Sequence, residues 1–136
     1  METVRTIGRR KEAVAVALAR PGKGAVKVNH TALQNVHPEM RRLMIMEPLM
    51  LAEEIAKGLD IEVHVQGGGV IGQTEAARQA IAHALIANAG KSSRALRKTF
   101  EEYDRAMLVS DARRNEPHKP SRSSAGPRRH KQRSKR

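Results

Sequence analysis

A domain that mixes α and β elements, followed by an extended basic tail, is what this sequence predicts, and three observations predict it. Ile61 to Gln66 reads IEVHVQ and alternates strictly between apolar and polar, the period of a half-buried strand. Gln73 to Ala89 carries apolar residues at helical spacing. After Asp111 the apolar residues stop, and from Asp111 onward ten Lys+Arg stand against two acids. The 136 residues suffice for one domain with a modest core.

The other elements follow in order. Ala13 to Arg20, AVAVALAR, predicts a buried strand, and PGKG at Pro21 to Gly24 predicts a turn. Ala25 to Val28 alternates and predicts a second strand, paired with the first as a hairpin. NHTALQNVHP is connecting structure with room for one short helical turn. Pro38 and Pro48 each stand where a helix can begin, because Pro at the first helical position loses no hydrogen bond. Over Pro38 to Met46, Met40, Leu43 and Met44 fall on one side and Arg41 and Arg42 on the other. Pro48 to Lys57 turns Leu49, Leu51, Ala52, Ile55 and Ala56 toward a core, with Gly58 as the residue that ends it.

In the strand IEVHVQ the buried face is Ile61, Val63 and Val65. The long helix presents Ala77, Ala80, Ile81, Ala84, Leu85 and Asn88 on one stripe, mostly alanine, so it packs closely on its sheet. Ser93 to Tyr103 predicts another helix, with Arg94, Arg97 and Lys98 on a basic face. MLVSD, Met107 to Asp111, has the length of an edge strand. The remainder holds three prolines, one glycine and four serines among its charges. It buries too little to offset ordering entropy and is expected to be ordered only against a partner.

Charge names the class of partner. The net charge is +12 and the pI about 11.1, well beyond the threshold of about 9 for a nucleic-acid binder. Eight Lys+Arg and no acid lie within Pro117 to Arg136, so most of the excess sits in the last twenty residues. One Phe, one Tyr and no Trp leave almost no aromatic platform for base stacking. Binding is therefore expected through phosphates, backbone and shape. No Cys is present, which excludes disulfides and Cys-ligated zinc and fits a cytosolic protein. No run approaches the roughly 18 apolar residues of a membrane span. The stretch METVRTIGRRKEA lacks the apolar core of a signal peptide, so export is not expected.

The glycines are the sharpest local feature. Gly67-x-Gly69-x-x-Gly72 has the spacing of a dinucleotide fingerprint, between a strand and a helix. That fingerprint requires an acidic residue about 20 positions on, at the end of a following strand. Here the chain reads AGKSSRALRK, basic and helical, and no second mononucleotide-binding half follows. GKSS at Gly90 to Ser93 resembles the end of a phosphate loop, but Leu85 stands where its first glycine belongs. Gly69 to Gly72 fits the GXXG loop of a KH domain, which joins two helices, whereas this one follows a strand. The general physics survives. Adjacent glycines admit a ligand close to the backbone, and a helix N-terminus favours an anion. A nucleic-acid phosphate satisfies that as well as a cofactor does, with Gln73 and Arg78 as the nearest side chains to assist. The bland alternative is a glycine turn that only lets the helix pack tightly on its strand.

No catalytic constellation emerges. The six histidines, His30, His37, His64, His83, His118 and His130, show no metal-ligand spacing. Glu53–Glu54 and Glu101–Glu102 are adjacent on helices and point in different directions, as solvated faces do. The basic residues form three sets. Arg9, Arg10 and Lys11 open the first strand, Arg94, Arg97, Lys98 and Arg105 line a helix and its exit, and the tail runs from Arg113 to Arg136.

Together these pieces resemble the small-subunit ribosomal protein family S-nine. GRRKEAVA at Gly8 to Ala15 resembles its opening motif, and GGGVIGQTEAARQAIAHAL at Gly67 to Leu85 its long central signature. LVSDARRNE at Leu108 to Glu116 resembles the start of its tail and QRSKR at Gln132 to Arg136 the end. EPLMLA at Glu47 to Ala52 leans toward the archaeal and eukaryotic branch. The resemblance implies an α+β fold like the second domain of ribosomal protein S-five: a mixed sheet with a left-handed βαβ crossover, helices on one face, and an extended tail. The division is 1–110 for the domain and 111–136 for the tail.

It implies a structural role without catalysis or cofactor, in the cytoplasm, within the head of the small subunit. The partners are ribosomal RNA, peptidyl-site tRNA and neighbouring ribosomal proteins, with no membrane and no small-molecule substrate. The residues assigned to ribosomal RNA are Arg9, Arg10, Lys11, Gly67, Gly68, Gly69, Gly72, Gln73, Arg78, Arg105, Arg113 and Arg114, then Lys119, Arg122, Arg128, Arg129, Lys131 and Arg133 in the tail. Ser134, Lys135 and Arg136 are assigned to tRNA. The tail lacks the aromatic that archaeal members often carry, which leaves phosphate contacts. A free nucleic-acid chaperone or compaction protein is the alternative.

Overall fold

The computed structural model describes residues 3–114. Five strands form one sheet: β1 (Val4–Arg10), β2 (Ala13–Pro21), β3 (Val26–Val28), β4 (Thr31–Ala32) and β5 (Leu59–Gln66). The helices are α1 (Glu39–Leu51), α2 (Glu53–Ala56), α3 (Val70–Ala87) and α4 (Ser93–Tyr103), with short 3₁₀ turns at Leu33–Asn35, Gly90–Ser92 and Arg105–Met107. The strand order is β1-β2-β5-β3-β4. β5 runs antiparallel to β2 and parallel to β3, so the sheet is mixed. The mixed α and β class read from the sequence is borne out.

Alternation decides which face is covered. On β2, Ala13, Ala15, Ala17 and Ala19 are fully buried, and on β5 Leu59, Ile61, Val63 and Val65 are buried, as alternation predicted for the last three. α3 lies over that face, with Ala76, Ala77, Ala80, Ile81, Ala84 and Leu85 buried against it. Alanine faces alanine, so the helix approaches closely. Gly8 of β1 is required by that approach. A Cβ there would collide with the Ala76 carbonyl and come within 2.6 Å of the Ala80 nitrogen. Thr6 Oγ1 donates to the Ala80 carbonyl at 2.8 Å and ties β1 to the same helix. Residues on the opposite face, such as Ile7, Val16 and His64, all keep some exposure.

Several elements differ from the sequence reading. β1 was missed, because its helix-facing positions are Val4, Thr6, Gly8 and Arg10, which carry no apolar alternation. Arg9, Arg10 and Lys11 therefore close β1 and its turn; they do not open the first strand. β3 does not form a hairpin with β2, because β5 lies between them. The Pro21–Gly24 connection passes over the end of β5, where the Asp60 carboxylate accepts N–H bonds from Lys23 (2.9 Å) and Ala25 (3.1 Å). Those backbone bonds, Ala25 first, hold the Asp60 carboxyl below its ordinary value.

The two helices expected from Pro38 and Pro48 are one, capped by Pro38 with Pro48 inside, and the chain breaks only at Ala52 before α2. Its docked side is also different. Ile45 and Pro48 are buried, while Met40 and Leu43 are 65% and 51% exposed. Arg41 Nε donates to Thr74 Oγ1 at 2.9 Å on that docked side. With five apolar residues between Met40 and Met46, two stripes were equally plausible on paper. Gly58 closes α2 by donating its N–H to the Ile55 carbonyl at 3.2 Å, without a left-handed φ. MLVSD is not a strand. Met107 and Leu108 are buried at the end of the 3₁₀ turn, and only Asp111 makes a bridge, parallel to Arg10. α4 has the predicted bounds, buries Leu96 and Phe100, and leaves Arg94, Arg97 and Lys98 exposed.

Candidate nucleic-acid interface

The glycine segment sits where β5 gives way to α3. Gly67 and Gly68 hold φ of 79° and 65°, in the region that favours glycine. They pass tightly over the β1–β2 turn. A Cβ on Gly67 would lie 2.5 Å from the Glu12 carbonyl, and one on Gly68 3.0 Å from the Ala13 nitrogen. Gly69 caps α3, which starts at Val70, three residues earlier than predicted, so Gly72 is inside the first turn. Gln73 N–H to the Gly69 carbonyl, 2.9 Å, is the first helical bond. The N–H groups of Val70, Ile71 and Gly72 thus have no partner within the helix. The first turn contains no acidic residue and Gly69 provides no side-chain cap, so no side chain of the helix start itself answers the positive end of the dipole.

Beside it the β1–β2 turn brings up Arg10 and Lys11, the latter at φ 55° on the turn tip. Arg10, Lys11, Glu12, Gly68, Gly69, Val70, Ile71 and Gly72 line an open groove of about 590 Å³. The sequence separated these two basic and glycine segments by more than fifty residues; the β2–β5 pairing of Val14 with Gln66 brings them together. Lys11 has no ion-pair partner among the described residues. Gln73 acts differently from expectation: its Nε2 donates to the Gly67 carbonyl at 3.2 Å and braces the loop.

Arg78 is a correction. It is 8% exposed, and its guanidinium is held by Glu47 of α1 and by Asp104 after α4, the latter at 2.9 Å. Its Nε has no partner. Its charge is neutralised inside the fold, so it does not assist an anion at the glycine segment. Burial alone would raise the Asp104 carboxyl, but the hydrogen bond from Arg78, the Ala106 N–H and the charge of Arg78 outweigh it and hold it low.

The other assigned cations divide by neighbour. Arg9 is exposed, and its backbone N–H donates to Gln79 Oε1 at 2.7 Å. Arg10 pairs with Glu75 of α3 at 2.7 Å and with Asp111. Arg105 is exposed on its 3₁₀ turn. Arg113 pairs with Asp111 at 2.6 Å, and Arg114 Nη1 donates to the Asp111 carbonyl at 3.0 Å. Lys119, Arg122, Arg128, Arg129, Lys131, Arg133, Ser134, Lys135 and Arg136 lie outside the described residues. Sequence reasoning missed the carboxylates Glu47, Glu75, Asp104 and Asp111. Their one signal was being acids in a basic chain. Among the described residues no group of three His, Cys, Asp or Glu is placed to hold a metal, and no helix is long and apolar enough to cross a membrane.

The surroundings of the glycines also decide against a dinucleotide fold. β5 is flanked on one side by an antiparallel strand, and no strand follows α3 among the described residues. What remains is a strand–glycine–helix unit with a basic turn against it, in a chain whose family model is ribosomal protein S9/S16 over residues 8–136. The chain belongs to that family. Relatives agree along the full length. The small ribosomal subunit protein uS9 of Methanococcus vannielii is 46% identical over 134 residues, 98% of each chain. Its counterpart in Methanococcus maripaludis is 43% identical over the same share. The family's long match includes both the β1–β2 turn and the glycine–α3 unit, the two pieces that build the groove.

Proposed function

We propose that this chain is a structural constituent of the small ribosomal subunit in the cytoplasm, without catalytic activity, that grips ribosomal RNA by its phosphates. The observation that carries the reading is the groove: unbonded N–H groups at a helix start, Lys11 beside them, and no acid in that first turn. Full-length similarity to proteins named for the small subunit supports the same assignment. In this reading Arg10, Lys11, Gly68, Gly69 and Gly72 meet RNA at the groove, with Arg9 and Gly67 beside it and Gln73 bracing Gly67, while Arg105, Arg113 and Arg114 meet it where the chain leaves the domain. Arg78 is withdrawn from that set.

Residues 1–110 act as the docking domain and 111–136 as the basic tail. Lys119, Arg122, Arg128, Arg129, Lys131 and Arg133 displace counterions from packed phosphates, and Ser134, Lys135 and Arg136 reach the peptidyl-site tRNA. Neighbouring ribosomal proteins of the subunit head complete the surroundings. The connection from β3 through α1 to the adjacent, parallel β5 supports a crossover of the S-five domain-two kind, left-handed in that fold. The test is sucrose-gradient sedimentation of a cell lysate with detection of this chain. It is expected with the small subunit; finding it free at the top, or with DNA, overturns the assignment.

A further inference from the structure

We propose that Asp111 is a positioning residue that joins the root of the tail to the glycine groove, so that both act on RNA as one continuous track. The inference rests on the RNA-binding reading and goes beyond it by naming what couples the two parts.

Asp111 is the point at which the chain leaves the domain, and several contacts converge on it. Its backbone bridges Arg10 in parallel at the end of β1. Its carboxylate holds the Arg10 guanidinium, which Glu75 of α3 holds from the other side at 2.7 Å. It also accepts the backbone N–H of Arg113 at 2.9 Å and the Arg113 guanidinium through Nε (2.8 Å) and Nη2 (2.6 Å). Its carbonyl accepts from Arg114 Nη1 at 3.0 Å. The first residues of the tail are therefore folded back on a residue that holds Arg10, a side chain of the groove wall. Arg10 lines the groove beside Gly72 and Lys11, and together with Asp111 it also lines a small cavity of about 70 Å³.

An acid here is the wrong sign for a surface that binds a polyanion, and simple electrostatics would remove it. Its contacts give the reason for keeping it. Two binding elements on one chain reinforce each other only if the connection directs both to the same ligand at once. Asp111 fixes the direction in which the chain departs, alongside the β1–β2 turn, and so sets the effective concentration of the tail at the RNA already held by the groove. Gln79 and Ser110, bonded to each other at 3.3 Å, secure the preceding residue to α3.

The sign of the effect separates positioning from charge. The full chain is titrated with a transcript of the head region of small-subunit ribosomal RNA. Asp111→Asn is expected to weaken binding about tenfold even though it makes the chain more basic. On heparin, a polyanion with no fixed shape, the same variant is expected to bind equally or more tightly. In a full-length background with Arg128, Arg129, Lys131 and Arg133 changed to Gln, the loss caused by Asp111→Asn is expected to shrink to under about twofold. Unchanged or tighter RNA binding by Asp111→Asn overturns the proposal, and so does an equal loss in both backgrounds, which would place its role inside the domain. Failure of the unaltered chain to bind the transcript overturns the RNA reading itself. Thermal melting of each variant separates these outcomes from unfolding.

Discussion

The turn that carries Lys11 and the helix turn that carries Arg78 are both basic in the sequence, and their charges meet opposite fates. Around Arg78 the fold supplies Glu47 from α1 and Asp104 from beyond α4, and the guanidinium is buried between them. Around Lys11 it supplies unbonded backbone N–H groups and an open groove, with no ion-pair partner among the described residues. One cation holds three elements together. The other stays exposed at the mouth of the groove. Net charge in the sequence is thus not charge available for binding; what decides is where the acids fold.

The contrast can be broken in several ways. The largest expected effect lies in the tail. If its Lys and Arg residues meet about 8 phosphates, log K falls by roughly 6 to 7 per log unit of salt, and removing Pro117 to Arg136 cuts that slope sharply. A salt titration of RNA binding measures it, and an unchanged slope removes the tail from the account.

Next comes Arg78→Ala, which leaves a void and two carboxylates without their partner. It is expected to cost about 3 kcal/mol in denaturant unfolding. Lys11→Ala is expected to stay within about 0.5 kcal/mol of the unaltered chain in the same assay. Gly68→Ala places a Cβ at φ 65°, within 3.0 Å of the Ala13 nitrogen. It should cost about 1–2 kcal/mol and distort the groove, and so weaken RNA binding as well.

The smallest effect concerns pH. Burial lowers the His83 imidazole below its ordinary 6.5; its Nε2–H bond to the Leu108 carbonyl pushes the other way, and Arg97 adds to the lowering. A depressed folded pKa means that His83 contributes full stability above 6.5 and loses it as pH falls below. Asp104, also depressed, loses its contribution only as pH falls below its ordinary 3.8. The melting temperature is expected to dip slightly between pH 7 and 5.5, and His83→Gln is expected to remove that dip.

Much of this was legible in the sequence because periodicity reports burial. IEVHVQ announced its buried face, and the alanine stripe of α3 announced a close helix–sheet contact. β1 was hidden because close packing there is achieved with Gly8 and Thr6, which leave no hydrophobic signal. The pairing of β3 with β5, not β2, was hidden because strand order depends on contacts across tens of residues. Of the candidate site, the glycines and Lys11 were visible by type and spacing. Their meeting was not, since it depends on β2 pairing with β5. Arg78 was misread because Glu47 and Asp104, its partners, lie 31 and 26 positions away along the chain.

In the proposed function the domain offers its charge to RNA at the glycine groove and not at the buried arginine. The salt dependence of RNA affinity, measured side by side for Lys11→Gln and for Arg78→Met with folding verified, tests it most directly. Lys11→Gln is expected to lower the slope of log K against log salt by about 0.9 and Arg78→Met to leave it unchanged. A lowered slope for folded Arg78→Met, with none for Lys11→Gln, would contradict it.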